Sequence, residues 1–260
     1  MPTPSLYAEA RDLLLASAKT LLLTGAGVST GSGIPDFRSP GKGLWEFVDP
    51  FAVASIWGFR TQPDLFYRWL RPLAEKMLQA RPNPAHLGFA ALQELGLLQT
   101  LVTQNIDDLH EQAGSRDVVH VHGSAQGARC LACGNWVEGK HFWHTFLADS
   151  TLPTCAQCGS VLKPDVVLFG EELPADRLAQ AQEAALTCDL VVVAGASLEV
   201  MPTADLPLLA RRRGARLLLL NLGSTMLDQQ ADLVIREDVT LSVPRLVELC
   251  RQNILDKMTG

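Results

Sequence analysis

Short apolar runs alternate with helical patterns along most of the chain, and this alternation limits the fold more than any other feature of the sequence. Apolar runs of strand length occupy residues 20–24, 98–103, 118–121, 190–194, 216–220 and 233–235. Apolar residues recur at helical spacing in residues 5–18, 84–95, 175–186, 204–213 and 243–251. Strands that alternate with helices form a parallel sheet covered on both faces. The sequence therefore predicts an α/β fold with a Rossmann-like, doubly wound parallel sheet.

Two stretches interrupt the alternation. Residues 37–82 are rich in aromatic residues and prolines, and residues 123–165 carry paired cysteines. We interpret them as insertions that form a smaller domain, made of a helical module and a cysteine module. Residues 1–36, 83–122 and 166–260 then form the Rossmann-like domain. A chain of 260 residues, 47% of them hydrophobic, is long and apolar enough to build a sizeable core.

The cysteine module contains two C-x-x-C pairs, Cys130–Cys133 and Cys155–Cys158, and each pair is followed at once by a glycine. A C-x-x-C turn directs two thiolates at one ion, and the glycine allows the left-handed backbone of such a turn. Four thiolates complete a tetrahedral Zn²⁺ site with no open position, so we predict one structural zinc per chain. A dithiol redox pair is the alternative. Cys188 and Cys250 lie in apolar patterns and are expected to be buried thiols.

A glycine-rich turn, Gly25-Ala26-Gly27, follows the first strand-like run. Glycines in this place let the main chain approach the phosphates of a dinucleotide near a helix N-terminus. The third glycine of the usual G-x-G-x-x-G pattern would fall at position 30, which is Thr30. The turn by itself is therefore also compatible with an ordinary α/β fold.

The segment from Gly25 to Arg38 reads GAGVSTGSGIPDFR, and TQNID at 103–107, VHG at 121–123 and FGE at 169–171 follow it in order. With the cysteine pairs between the last two motifs, the chain resembles the sirtuin family, in particular its bacterial and archaeal members. The resemblance implies an enzyme that uses NAD to remove acyl groups from lysine side chains of proteins. Its products are free lysine, nicotinamide and O-acyl-ADP-ribose.

The resemblance assigns residues to the catalytic tasks. His122 matches the family's base, which takes a proton from a ribose hydroxyl, and an imidazole with a pKa of about 6.5 suits that task at neutral pH. His120 lies two residues away on the same strand face, and the residues alone do not decide between the two histidines. Asn105 is expected to orient the ribose and a water molecule, and Asp107 to accept a hydrogen bond from the nicotinamide amide.

The family also implies contacts with the cofactor and with the peptide. Phe37 is expected to shield the reactive face of the ribose, and Arg38 to contact phosphate. The other expected cofactor residues are Gly25, Ala26, Thr30, Asp36, Gln104, Ile106, Gly195, Ala196, Ser197, Asn221, Gly223 and Val239. Ala196 replaces a hydroxyl residue common in the family, and we expect its main-chain N–H to remain available to the cofactor. The peptide is expected to add as a strand along Val167, Phe169, Gly170 and Glu171.

The acyl group is predicted from a local pattern. Family members that prefer acidic acyl groups such as succinyl carry Tyr-x-x-Arg, whereas Tyr67 is followed three residues later by Leu70. Acetyl is therefore the favoured group. Long fatty acyl groups are the alternative, because Phe47, Phe51, Ile56 and Phe59 could line an apolar tunnel.

Composition excludes other classes of protein. The chain has 22 Lys+Arg and 28 Asp+Glu, and this net charge of -6 argues against a nucleic-acid partner. The sequence contains neither a signal-peptide pattern nor 18 consecutive apolar residues, so we expect a cytoplasmic protein with no membrane partner.

Two rival functions are mono-ADP-ribosyl transfer to a protein side chain and non-enzymatic sensing of NAD or ADP-ribose. The complete set of His122, Asn105 and Asp107 argues against a sensor.

Overall fold

Strands and helices alternate in the larger part of the molecule. The structure is a computed structural model, and it describes residues 2–39, 41, 43–148 and 151–259. The strands are β1 Thr20–Thr24, β2 Thr100–Thr103, β3 Val118–His120, β4 Gly123–Cys130, β5 Trp136–Glu138, β6 Leu162–Val166, β7 Leu190–Ala194, β8 Arg216–Leu220 and β9 Leu233–Ile235. The α-helices are α1 Pro4–Ala16, α2 Pro50–Ala54, α3 Ile56–Thr61, α4 Pro63–Gln79, α5 Pro84–Glu94, α6 Leu109–Gln112, α7 Gly139–Ala148, α8 Ala175–Thr187, α9 Leu206–Arg212 and α10 Val239–Thr259.

Six of the strands in the described ranges form one parallel sheet, in the order β3-β2-β1-β7-β8-β9. The chain builds this sheet outward from β1 in one direction and then, starting at β7, in the other. Open sheets of this kind bind ligands at the carboxyl ends of the strands where the direction reverses, here between β1 and β7. The predicted doubly wound, Rossmann-like sheet is confirmed.

The central strand separates two hydrophobic cores. Leu22 of β1 belongs to the core formed with α1, α5 and α10, whereas Leu21 and Leu23 belong to the core formed with α8 and α9. All five residues of β1 are buried. Burial on both faces is the reason that this strand is a continuous apolar run rather than an alternating one.

A third core joins the two stretches that interrupt the alternation. It contains Phe66 of α4, Phe146 of α7 and Leu162 of β6. The antiparallel sheet β5-β4-β6 lies in the same part of the molecule. This shared core supports our proposal that residues 37–82 and 123–165 form one small domain.

The ends of several elements differ from the predictions. The last helix begins at Val239 instead of residue 243, because the Asp238 carboxylate accepts hydrogen bonds from the N–H (2.8 Å) and hydroxyl (2.7 Å) of Thr240 and caps the first turn. The helix predicted for residues 204–213 begins as a 3-10 turn, Thr203–Asp205, before α9. Among the described helices, none has the length and apolar character needed to cross a membrane.

Candidate active site

A cleft of about 570 Å³ lies at the carboxyl ends of the sheet strands, and its volume is in the range of small-molecule sites. Of the residues predicted to bind cofactor or substrate, it is lined by Gly25, Ala26, Thr30, Asp36, Phe37, Arg38, Gln104, Asn105, Ile106, His122, Val167, Phe169, Gly170, Glu171, Gly195, Ala196, Ser197, Asn221, Gly223 and Val239. The sequence motifs therefore come together in one place, although they are spread over more than 200 positions.

The floor of the cleft forms where the turns after β1 and β7 meet. The N–H of Gly25 donates to the carbonyl oxygen of Ala194 at 3.1 Å, and the N–H of Gly27 donates to that of Gly195 at 2.8 Å. A Cβ atom added at Gly25 or Gly27 would stand 2.8 Å from the Gly195 oxygen. Glycine is therefore required here for the contact between the two turns, in addition to the predicted approach to phosphate.

Asn221, directly after β8, holds the turn that contains Ala196. Its Nδ2 donates to the Ala196 oxygen at 2.6 Å, and its Oδ1 accepts from the Ala196 N–H at 3.0 Å. Our expectation that this N–H is available to the cofactor was wrong, because the Asn221 amide already binds it. Arg236 donates to the carbonyl oxygens of Asn221 and Gly223, so the adenosine end of the predicted site is held by hydrogen bonds on both sides.

The loop after residue 35 brings an aromatic ring and a cation to the cleft. The Asp36 carboxylate accepts hydrogen bonds from the N–H groups of Arg38 at 3.0 Å and Ser39 at 2.7 Å, so Asp36 shapes the loop. The Phe37 ring stacks on Trp45 with centroids 5.0 Å apart. Arg38 Nε lies 2.8 Å from a carboxylate oxygen of Glu199. A guanidinium in this position is suited to bind phosphate.

His122 follows β3, and its hydrogen bonds define its tautomer. Nδ1 lies 3.0 Å from the carbonyl oxygen of Gln104, which can only accept, so Nδ1 carries the proton and Nε2 carries the lone pair. Nε2 lies 3.4 Å from the Thr203 hydroxyl. Burial lowers the pKa of His122 below its ordinary value, and the charge of Arg38 acts in the same direction. At neutral pH the ring is thus an uncharged base.

Asn105 and Asp107 are joined through Ser29. Asn105 Nδ2 donates to the oxygen of Gly25 and to Ser29 Oγ, both at 3.1 Å. Ser29 Oγ in turn donates to Asp107 Oδ2 at 2.8 Å, and the other carboxylate oxygen accepts from the Leu109 N–H at 3.2 Å. Asp107 is 7% exposed, and burial raises its pKa although these hydrogen bonds oppose the shift. Its contact with a nicotinamide amide stays a prediction.

One end of the cleft is apolar, and it is lined by Trp45, Phe66, Trp69, Leu70 and Leu73. The last four lie on α4, where helical spacing brings them to one side of the helix. The alternative tunnel considered from Phe47, Phe51, Ile56 and Phe59 is different from this wall. Phe47 and Phe51 are 73% and 60% exposed, while Ile56 and Phe59 are buried in the core of the small domain.

The predicted peptide-binding segment follows β6, and its main chain already forms hydrogen bonds with other parts of the molecule. The Phe169 N–H donates to the Ala54 oxygen at 2.9 Å, and the Phe169 oxygen accepts from the Ile56 N–H at 3.0 Å. The Val167 N–H donates to the His122 oxygen at 2.8 Å. The main chain of Phe169 is thus engaged within the molecule, and the residue also lines the cleft.

Glu171 is turned toward the protein. Its Oε2 lies 2.9 Å from Nζ of the buried Lys163 and accepts from the Leu168 N–H at 2.8 Å. Lys163 Nζ also donates to the Val166 oxygen at 2.6 Å. These bonds fix the shape of the segment between Val166 and Glu171, which lines one side of the cleft.

Four cysteine sulfurs meet between β4 and β6, away from the cleft. All four Sγ atoms lie within 4.8 Å of one another, with Cys130–Cys158 at 3.4 Å and Cys133–Cys155 at 3.6 Å. A tetrahedral Zn²⁺ with bonds of about 2.3 Å places its sulfurs about 3.8 Å apart, so the cluster fits a single structural zinc. The cysteines form no disulfide, which leaves the four thiols available as ligands.

The main chain around the cysteines has the form that the sequence predicts. The N–H of Gly134 donates to the Cys130 oxygen at 2.9 Å, and the N–H of Gly159 donates to the Cys155 oxygen at 2.8 Å. Both glycines have left-handed backbone, with φ of 76° and 74°. Hydrogen bonds from the hydroxyl and N–H of Ser160 lower the pKa of Cys158 to about 6, whereas hydrogen bonds with the neighbouring thiols raise the pKa of Cys133.

Ser29, Glu199 and Thr203 are among the residues of the site that were not predicted from the sequence, as are Trp45 and the residues of α4 that line the apolar end of the cleft. Ser29 lies within the resembling segment, but its partners Asn105 and Asp107 are more than 70 positions away, so no local pattern reveals the contacts. Glu199 and Thr203 follow β7, and the signal that could have found them is this position beyond the carboxyl end of a central strand.

The fold and the cleft define an α/β protein with a dinucleotide-type site and a four-cysteine metal module. The chain belongs to the Sir2 family, whose sequence model matches residues 25–202, and the predicted resemblance is confirmed. An NAD-dependent protein deacetylase of Saccharolobus solfataricus is 38% identical over 250 residues, which cover 96% of this chain and 99% of the relative.

Solved structures agree with this assignment. A Sir2 homologue in complex with NAD superposes with a TM-score of 0.87 at 40% identity, covering 95% of this chain and 94% of the other. A Sir2 variant with a deacetylated p53 peptide and 3′-O-acetyl-ADP-ribose superposes with a TM-score of 0.88 at 39% identity, covering 93% and 97%. Both therefore match nearly the whole length of this chain.

Proposed function

We propose that the protein is an NAD-dependent deacylase of lysine side chains in proteins or peptides. The observation that carries the proposal is His122, a neutral imidazole with its lone pair on Nε2, at a cleft that Asn105 also lines. The Saccharolobus relative is an NAD-dependent protein deacetylase, and a structural relative holds an acetyl-ADP-ribose product. These relatives support the same reaction for this chain.

NAD supplies the ribose carbon to which the acyl oxygen is transferred as nicotinamide leaves. The turns after β1, β7 and β8, together with Arg38, fit a ligand with two phosphates between two nucleoside ends. The residues proposed to hold it are Gly25, Ala26, Thr30, Asp36, Phe37, Arg38, Gln104, Ile106, Asp107, Gly195, Ala196, Ser197, Asn221, Gly223 and Val239. In the structure Glu199 binds Nε of Arg38, so phosphate would bind the terminal nitrogens of the guanidinium or displace this carboxylate.

The catalytic residues divide the remaining work. His122 accepts the proton of a ribose hydroxyl at Nε2, and the bond from Nδ1 to Gln104 keeps the ring in the tautomer that can do so. Asn105, fixed by Gly25 and Ser29, orients the ribose. Phe37 covers the reacting face and keeps water from it.

The apolar end of the cleft favours an uncharged acyl group, and we propose acetyl-lysine as the substrate. The Tyr67 hydroxyl donates to the Leu162 carbonyl oxygen. Arg71 donates to the Phe146 oxygen at 2.5 Å and lies over the Phe146 ring at 4.5 Å. Neither group is directed at the cleft, so no partner for a succinyl carboxylate stands in the described part of the α4 wall.

The peptide carrying the acyl-lysine is proposed to lie along Val167, Phe169, Gly170 and Glu171. Since the main chain of Phe169 is bonded to Ala54 and Ile56, the pairing with a peptide is expected at Val167. The carbonyl oxygen of Val167 has no donor among the described residues. A nucleic-acid partner does not suit the net charge of -6.

We also propose that the protein works in the cytoplasm, because the reducing environment there keeps the zinc-binding cysteines as thiols.

The experiment that tests the proposal is mass spectrometry of an acetyl-lysine peptide incubated with the purified protein. Loss of the acetyl mass only when NAD is present, together with O-acetyl-ADP-ribose, is the expected result. Transfer of ADP-ribose to protein without deacetylation would instead establish the transferase. A matched succinyl-lysine peptide is expected to react more slowly.

His122→Ala provides the residue-level test. Removal of the base is expected to lower turnover by roughly 10²- to 10⁴-fold, while the circular dichroism spectrum and zinc content stay the same. The imidazole touches Gln104 and Thr203 but no residue of the metal module, so the fold should tolerate the change. Unchanged turnover in this variant would remove His122 as the base.

A further inference from the structure

A second imidazole stands beside the proposed base. His120 precedes His122 by two residues, and its Nδ1 lies 3.3 Å from the carbonyl oxygen of Asn105. Its Nε2 lies 2.5 Å from Oε1 of Glu111, a residue of α6. The His120 side chain is only 11% exposed, so water does not replace these partners.

The two partners dictate the protonation of the ring. A carbonyl oxygen and an ionised carboxylate can only accept hydrogen bonds, and a neutral imidazole has a single N–H to donate. Both contacts form only when both nitrogens carry protons. With Glu111 ionised, these partners favour an imidazolium at His120, whereas the single acceptor at Nδ1 of His122 requires only one proton on that ring.

The surroundings of His120 agree with this state. Glu111 and Asp107 are the carboxylates that face it, and His110 of α6 is a buried neighbour whose own pKa lies well below the ordinary value because of burial. Burial alone would lower the pKa of His120. The hydrogen bond and charge of Glu111, with smaller contributions from Asn105 and Asp107, outweigh burial and raise it.

We propose that His120 is a positioning residue that acts as an imidazolium, held by Glu111, and fixes the main chain of Asn105 for the reaction. His120 and His122 then anchor two consecutive carbonyl groups, those of Asn105 and Gln104, from one strand end. The same segment is then held by two rings in different charge states, a cationic His120 and a neutral His122. This inference rests on the proposed roles of Asn105 and His122.

The charge states predict a bell-shaped dependence of turnover on pH. His122 must be neutral, so its contribution is lost as pH falls through its lowered pKa. His120 must be charged, so its contribution is lost as pH rises through its raised pKa. The acidic limb therefore belongs to His122 and the basic limb to His120.

The first test requires no catalysis. Protein with ¹⁵N-labelled histidine is titrated by NMR, and the His120 signals are assigned from the spectrum of His120→Gln. We expect both ring nitrogens of His120 to be protonated at neutral pH, and its pKa to be higher than that of His122. A neutral His120 tautomer at neutral pH overturns the proposal, whether or not the protein is a deacylase.

The second test measures positioning. Glu111→Gln removes the carboxylate, so we expect the basic limb of kcat to move to lower pH while the acidic limb stays in place; Glu111→Asp should restore part of the shift. His120→Gln can bind only one of the two acceptors with its N–H₂ group, and displacement of Asn105 should lower kcat by roughly ten- to a hundredfold with little change in KM.

His141→Gln is the matched control, since His141 lies exposed on α7 and the same replacement there should leave the pH profile unchanged. Glu111→Gln with a wild-type basic limb overturns the assignment. If His120 is cationic by NMR but His120→Gln retains full kcat, the ring is a structural ion pair and the positioning role is wrong. If His120→Gln does not fold, the limb shift in Glu111→Gln decides.

Discussion

Replacing Ser29 by alanine removes the hydroxyl that joins Asn105 to Asp107. In the structure this hydroxyl donates to the buried Asp107 carboxylate at 2.8 Å and accepts from Asn105 at 3.1 Å. Hydrogen bonds to charged groups contribute about 1.5–3 kcal/mol, and a buried acceptor that loses its donor costs about as much. We therefore expect Ser29→Ala to lower the free energy of unfolding by about 1.5–3 kcal/mol at neutral pH.

The loss should depend on pH in a defined direction. Burial raises the pKa of Asp107 above its ordinary value, and the hydrogen bond from Ser29 opposes that shift. Without the hydroxyl the pKa rises further, because only the ionised carboxylate needs the donor. The destabilisation is therefore complete above the folded-state pKa, and it shrinks as pH falls through that value and the carboxylate takes up a proton.

Urea unfolding of Ser29→Ala and wild type, followed at neutral and at lower pH, measures the difference. Any loss of zinc at low pH affects both chains and cancels. In an Asp107→Asn background the same replacement removes a bond between neutral groups and should cost only about 1 kcal/mol. A loss below about 0.5 kcal/mol at neutral pH, or one that does not change with pH, would refute the reasoning.

The metal module and the cleft floor give two further predictions. Metal analysis should return one zinc per chain for wild type and none for Cys130→Ser, and a folded wild type purified without zinc would contradict the four-cysteine assignment. Gly195→Ala should destabilise the protein by about 2 kcal/mol or more in urea unfolding, because φ is +57° and the new Cβ would stand 2.5 Å from the Val28 nitrogen. Gly223→Ala, whose Cβ meets nothing within 4 Å, is the stability control; equal losses in both variants would exclude the clash as the cause.

The sequence predicted the elements of this fold well where a local pattern determines them. The continuous apolar run of β1 and the glycine after it mark a buried parallel strand and its turn, and both occur as predicted. The left-handed Gly134 and Gly159 follow from the C-x-x-C pattern for the same reason. In each case the residues that determine the structure are neighbours in the chain.

The interior contacts of the site depend on residues that are distant in sequence. Ala196 was expected to leave its N–H free, but Asn221 binds it from the next strand of the sheet. Phe47, Phe51, Ile56 and Phe59 were considered as the lining of an apolar tunnel, yet the apolar wall of the cleft is formed mainly by α4, with Trp69 and Leu73. A helical pattern gives the spacing of a face but not the direction in which tertiary packing turns it.

The contact between the turns after β1 and β7 has a consequence for the order in which the molecule assembles. Gly25 and Gly195 are 170 positions apart, whereas the four cysteines lie within 29 residues. Contacts between distant segments form slowly, since a long loop must close first. When Cys158 has just been added to a chain that is still on the ribosome, all four cysteines are present. Of the two turns that form the floor of the cleft, only the one after β1 has then been made. The capacity to bind NAD therefore arises late in synthesis, after the part of the protein that holds the metal is complete.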